Sequence, residues 1–463
     1  MSSSQWHISV ETVKSMALDM GKSLVEKSYI AESLAETMPF SLQYADIYTD
    51  IWCNQQSPFI KEPVLRDDPQ DRIEVTVPET TWAFSDSPAV LEGILGRLGV
   101  RPFIRREYEV ALYDIMKAKE TGNPIIIVRD DGEEIHADLT QAEPTIGVKR
   151  VPEEELVGDR AQKRQHAGKV SGEHAADPPY YIGIEHSLEQ YTNPFREEEA
   201  ESQLAGFIVL GHTGIGKSIF LYYILLLRLQ AKKPTILVLN PNVVTVFLQQ
   251  GVFSVAIAHF DDVATLIPKS AWCLVDSNQE LKQPPQFTIQ SPFFIVQAAS
   301  PIKDHIAWKD KTLGVWEYIM KPFSLPELIV GRNRGLRFYE HVSEIALQNH
   351  YERYTPSARV AYQFANHPDQ CLRRINGRLH QLSFVHLKTL VDELPYDDLR
   401  VLDEDVLDSI VTVTVDIGDE RCSPRASTPS RHLSELFIKR LQSSSTCSAG
   451  DLYFILLRIL SCM

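Results

Sequence analysis

Apolar positions recur along this chain with two spacings, and their alternation sets the expected architecture. Leu204 to Leu210 (LAGFIVL) is a short continuous apolar run, and IFLYYILLLRLQAKK, beginning at Ile219, is an apolar stretch of helical length. Thr235 to Leu239 (TILVL), Ala271 to Asp276 (AWCLVD) and Pro292 to Ala299 (PFFIVQAA) are further short runs. Runs of this length, rich in β-branched and aromatic residues, read as buried strands. Strands alternating with helical stretches predict an α/β fold with a mostly parallel sheet flanked by helices.

Elsewhere the pattern is weaker. Residues 1–40 carry helical apolar spacing, as in VETVKSMALDMGKSLVEKSYIAESLAETM. Pro124 to Val128 (PIIIV), the Asp130-Asp131-Gly132 turn and EEIHADL predict a hairpin. Ser85 to Leu98 opens with Ser, Asp and Pro and then turns apolar at helical spacing. From Pro144 to Pro179 the chain is charged and poor in large apolar residues, too little to offset the entropy of ordering it. We read that stretch as a linker or mobile loop, and its basic cluster at Arg160 to Arg164 as a solvated face. Residues 346–410 read as helical and suit a lid. Residues 420–450 are serine-rich and predict disorder. The final apolar stretch, DLYFILLRILSCM, has no evident partner; a docking helix and a scar of a misread frame both remain open. The expected divisions are a separate α+β N-terminal region (1–143), a linker (144–179), the α/β core (180–345), a helical lid (346–417) and a tail (418–463).

The chemistry sits where the first strand meets the first helix. Gly211-His212-Thr213-Gly214-Ile215-Gly216-Lys217-Ser218 reads G-x-x-x-x-G-K-S. A strand, a glycine-rich turn and a helix N-terminus form a phosphate-binding loop, because backbone N–H groups converge on the anion and the helix dipole adds to the attraction. Lys217 is expected to reach the β- and γ-phosphates, and the Ser218 hydroxyl to sit on Mg²⁺.

Such a site needs a second anion to complete the metal shell. The strand Trp272-Cys273-Leu274-Val275 ends in Asp276, which supplies it. Many hydrolases place glutamate next, to polarise the attacking water. Here the residue is Ser277, followed by Asn278, Gln279 and Glu280, so Glu280 is the candidate substitute base and Asn278 a candidate water-orienting group. Ser300, at the end of FFIVQAAS, falls where a strand between the two catalytic elements would present a γ-phosphate sensor; a helix N-cap is the other reading, and the two are compatible. Among the arginines, Arg332, Arg334 and Arg337 crowd GRNRGLRF, while Arg359 in TPSARVAY is the preferred lid residue to meet transition-state charge. Ser324-Leu325-Pro326-Glu327 is a capping box that starts a helix. Neither an N-K-x-D nor a T-K-x-D guanine-recognition motif occurs, which leaves adenine by elimination.

Composition narrows the partners. Across 463 residues the hydrophobic fraction is 44% and the charged fraction 23%, ordinary for a globular chain. The net charge of −16 argues against a broadly nucleic-acid-coating surface. Six scattered cysteines without a C-x-x-C pair suggest neither a disulfide framework nor a zinc site. Neither a secretory leader nor a membrane-spanning run is recognisable, so an intracellular location, cytoplasmic or nuclear, is expected.

The segments GHTGIGKSIFLYYILL, AWCLVDSN, FFIVQAASP with Trp308, YIMKPFSLPEL and TPSARVAY together resemble the Crinkler and retrotransposon-hot-spot type of P-loop NTPase, in its fungal branch. The resemblance implies an AAA+ or STAND-like ATPase module using ATP and Mg²⁺. The N-terminus lacks an LFLAK-type translocation motif, and nuclease and kinase signatures are missing, so only the ATPase module carries over. Modules of this type commonly assemble as homo-oligomeric rings or clusters, with an arginine supplied across the interface. An ATPase acting as a conformational switch toward a protein partner is therefore expected, with nucleotide binding without turnover, or a P-loop kinase, as the alternatives.

Overall fold

The computed structural model describes residues 41–90, 102–122, 191–332, 341–381 and 430–443, apart from isolated positions and short gaps within these ranges, together with Arg421 and the segments 127–128, 134–135, 412–414 and 425–427. The expected N-terminal helices (1–40), the linker, most of the Ser85 to Leu98 segment, Arg334, Arg337 and the final apolar stretch lie outside the described residues.

Before the sheet, strands β1 (Phe59–Pro63) and β2 (Thr80–Phe84) form an antiparallel ribbon. Helix α1 (Arg106–Thr121) follows, burying Tyr108, Ala111, Leu112 and Ile115 at helical spacing along one face. It stops at Gly122, whose left-handed φ of 70° lets its N–H reach the Ala118 carbonyl.

The central sheet has seven strands: β3 (Gly206–Leu210), β4 (Thr235–Val238), β5 (Val243–Leu248), β6 (Gly251–Ala256), β7 (Trp272–Asp276), β8 (Phe294–Ala298) and β9 (Val315–Ile319). Their order is β9-β3-β8-β7-β4-β5-β6. All neighbours from β9 to β4 run parallel, whereas β5 and β6 add an antiparallel hairpin at one edge. The mostly parallel α/β arrangement agrees with the sequence pattern; the edge hairpin and β9 are additions to it. Successive residues of each strand face opposite sides. Ile208, Val275, Cys273 and Ile295 join one apolar cluster, and Phe207, Leu274, Trp272 and Val296 the other.

Helix α2 (Lys217–Gln230) covers the second face and is buried from Phe220 to Gln230 all round. A helix apolar on every side must be enclosed by a further layer. Residues 44–53 and α1 supply that layer: Tyr44, Ile51, Trp52, Tyr108 and Leu112 share one cluster with Tyr223, Leu226 and Leu227. The separate N-terminal region expected from the sequence is thus not separate over residues 41–122, which belong to the same compact unit as the sheet. The physical reason is the apolar surplus of α2.

Among the described residues β9 is followed by α3 (Leu325–Gly331), α4 (Glu344–Arg353), α5 (Ala358–Phe364) and α6 (Pro368–Gln381). The Ser324 and Glu327 side chains form the expected capping box at the start of α3. Helix α7 (Arg431–Gln442) corrects the expectation of disorder over those residues, because its Leu433 and Phe437 are buried in the core cluster. Leu433, Leu436 and Phe437 make an apolar i, i+3, i+4 stripe, too short to stand out among the surrounding serines. Residues 126–185 form a second unit, in which Ile127–Val128 and Glu134–Ile135 pair antiparallel as the hairpin reading expects. Among the described residues no helix is long and apolar enough to cross a membrane.

Candidate functional site

The loop from Gly211 to Gly216 connects β3 to α2 and needs glycine at three places. Gly211, Gly214 and Gly216 have φ values of 148°, 76° and 92°, a region that costs a side chain roughly 1–2 kcal/mol. Space is short as well. A Cβ on Gly216 would collide with the Tyr108 hydroxyl, and one on Gly214 would meet Ser357 Oγ and come within 3.0 Å of Arg359 Cβ. His212 and Ile215 are buried, while Thr213 and Gly214 are half-buried at the tip. Lys217 folds back over the loop, its Nζ donating to the carbonyls of Gly211 (2.7 Å) and His212 (2.9 Å).

Asp276 ends β7, which is separated from β3 by β8. The register aligns Asp276 with Ala298, and Ala298 with Val209, so the loop and the acid emerge at the same end of the sheet. There the Ser218 hydroxyl donates to Asp276 Oδ1 across 2.9 Å. Burial pushes the Asp276 carboxyl up from its ordinary range; the Ser218 hydrogen bond and the Lys217 charge oppose that rise. Two hard oxygen donors beside an ammonium suit a divalent cation and a polyanion.

Ser277 is occupied elsewhere. Its hydroxyl accepts a 2.6 Å hydrogen bond from Gln297 Nε2, which also donates to the His305 carbonyl at 2.9 Å. Gln297 Oε1 accepts in turn from Trp308 Nε1. Gln297 is fully buried in β8, so Ser277 satisfies a core amide. Asn278 is also committed: its amide donates to the Leu239 carbonyl and its Oδ1 accepts from the Glu280 and Leu281 N–H groups. Glu280 lies exposed in that turn.

Ser300 is half-buried just beyond β8, between the strands carrying the loop and the acid. The N-cap reading is corrected: the short helix begins after Ile302, which is its N-cap, and Ser300 contributes its carbonyl to the Ile302 N–H. Arg359 is exposed in the first turn of α5, which abuts Gly214. Arg332 has a structural partner set, pairing with Asp67 at 2.9 Å and Glu344 at 3.2 Å in a buried cluster.

Two residues that the sequence reading passed over hold the loop from behind. Arg105, 1% exposed, donates to the Ile215 carbonyl at 2.8 Å and pairs with Glu327, while its guanidinium lies 4.0 Å over the Phe323 ring. Tyr108 donates its hydroxyl to the Gly216 carbonyl at 3.1 Å. Glu327 thus serves both the capping box and Arg105, and the Arg105 and Ser324 contacts hold its carboxyl below the usual range against the opposing pull of burial. Also in the first turn of α1, Glu107 accepts from the Lys321 N–H and from Arg421, the latter at 2.9 Å.

Comparison of the chain with protein-family models, curated proteins and solved structures returned no match.

Proposed function

We propose that the chain binds Mg-ATP at residues 211–218 and acts as a slow ATPase switch. The observation that carries this reading is the 2.9 Å contact of Ser218 with Asp276, made across an intervening strand beside a glycine-rich loop. Ser218 Oγ and Asp276 Oδ1 would hold the metal, which when bound supplies the positive charge that offsets the phosphate oxygens. The loop's backbone N–H groups and Lys217 would grip the phosphates, which requires Lys217 to leave the two carbonyls it caps. Arg359 stands at the start of α5, against the loop tip, where movement of α5 would bring it to the γ-phosphate. The resemblance to Crinkler-type ATPase modules supports the same reading, and adenine remains the base by elimination.

A specific observation favours the second reading, binding without turnover. Ser277 stands in the place of the usual base and is tied to Gln297, and Asn278 is tied to its own turn. We therefore place binding ahead of hydrolysis, with Glu280 and Ser300 as the candidates for assisting water. Single-turnover phosphate release from wild type and from Lys217→Ala separates the two readings. Slow release lost in the variant supports the switch. Tight ATP binding with no release leaves the binding protein, and no ATP binding overturns both. Phosphate transfer to an added acceptor would indicate a kinase.

A further inference from the structure

The chain carries a net charge of −16, yet one part of its surface has the opposite sign. Helices α5, α6 and α7 together hold seven arginine and lysine residues and two acids. On α6 the buried side is Cys371, Ile375 and Leu379, which leaves Arg373 and Arg374 exposed. Arg440 of α7 donates to the Leu379 carbonyl at 3.1 Å, so the two helices meet at the end of α6, and the exposed Lys439 extends the basic surface. The same contact sets a cation on the negative end of the α6 dipole, which would otherwise repel an anion. Of the two acids, Glu435 pairs with Arg431 at 3.1 Å, and Asp369 lies in the first turn of α6, where the dipole offsets its charge.

Gly377 is the second observation. It lies exposed in the middle of α6, one turn from Arg373 and Arg374 on one side and from Gln381 on the other. A Cβ there would meet nothing within 4 Å. Glycine inside a helix costs about 1 kcal/mol relative to alanine, and neither a positive φ nor a neighbour in the chain calls for it here. Its effect is to lower the surface among the arginines, so that a backbone from outside can approach closely.

We infer that this face docks the phosphate backbone of a nucleic-acid duplex without reading its sequence. Arginine dominates the patch, and its guanidinium meets phosphate oxygens as a fork. The charges are spread along two helices rather than gathered in a pocket, which fits a polymer of regularly spaced anions. A duplex is favoured over a single strand because α6 has no Phe, Tyr or Trp and Phe437 of α7 is buried, which leaves no platform there for base stacking. The overall negative charge confines contact to this patch. The surface is independent of the nucleotide reading.

Fluorescence anisotropy of labelled, mixed-sequence DNA and RNA duplexes, titrated with the full chain at several salt concentrations, tests this. Saturable, sequence-independent binding is expected, falling with salt on a log–log slope of about −2.7 for phosphate contacts by Arg373, Arg374 and Lys439. The tighter of the two duplexes identifies the source of the backbone. Arg373→Gln with Arg374→Gln should flatten the slope by about two and lower affinity about tenfold or more, with the melting temperature unchanged. Gly377→Leu should raise the melting temperature yet weaken duplex binding about tenfold, a combination that loss of folding does not produce. No saturable duplex binding, tighter binding of poly-glutamate or of a single strand, or indifference to either variant would each overturn the proposal.

Discussion

Ser218 and Asp276 lie 58 residues apart in sequence, yet their side-chain oxygens are 2.9 Å apart at one end of the sheet. If this pair is the metal seat, Asp276→Asn should lower Mg-ATP affinity by about tenfold or more, the scale of one charge-assisted contact. ATP binding measured in EDTA should change little. Calorimetric titrations with and without metal check this, and equal losses under both conditions would refute the metal assignment.

Gly216→Ala places a methyl group on the Tyr108 hydroxyl at a φ of 92°. We predict a stability loss of about 2–3 kcal/mol, from backbone strain plus displacement of the tyrosine. Adding Tyr108→Ala should not restore stability, because the strain remains and a buried aromatic ring is lost. Denaturant melts of the single and double variants decide it.

Arg105→Met removes one partner of a buried ion pair and leaves the Ile215 and Pro322 carbonyls without their donor. A loss of about 3–5 kcal/mol is expected, and Glu327→Gln should be milder because the amide oxygen can still accept. Equal melting shifts for the two variants would contradict the pairing.

Ser277→Glu supplies a carboxylate where the usual base stands. Turnover should rise by at least about tenfold if a missing base is what limits it. An unchanged rate in a variant that still binds ATP would place the limit elsewhere, in lid closure or product release.

The pH dependence of stability isolates His350, whose pKa burial pushes down from 6.5 to about 4. The unfolded chain takes up this proton near pH 6.5 and the folded chain resists it until about pH 4. The stability tied to His350 is therefore intact above pH 6.5 and lost progressively as the pH falls toward 4, by about 3 kcal/mol in all. The difference between wild type and His350→Phe across that window should show the slope. A flat difference would mean that the ring is not buried uncharged.

Much of the core was legible because its elements are locally determined. β3, β4, β7 and β8 each announced themselves as a short apolar run, and the turn between β3 and α2 as a spaced set of glycines. The hairpin β5–β6 was less visible, since Gln249 and Gln250 with Gly251 make a weak turn signal between two apolar stretches. Arg105 and Tyr108 could not be assigned from their own surroundings, because their partners are carbonyls more than a hundred residues away. One signal was available: α2 is too apolar on every side to face water, so some other part of the chain had to cover it. Ser277 was recognised as a departure, but its tie to Gln297 depends on strand order, which composition does not encode.

Arg421 reaches Glu107, and its carbonyl accepts from the Ile319 N–H at the outer edge of β9. The scaffold behind the glycine-rich loop thus draws on residues 105–108, 319–327 and 421, which span most of the chain. Contacts of such long range form late and slowly. During synthesis the early residues of this scaffold must wait for residue 421 to emerge before the network behind the loop can close. A ribosome-stalled chain ending before that point should therefore bind nucleotide poorly although every glycine of the loop is already present.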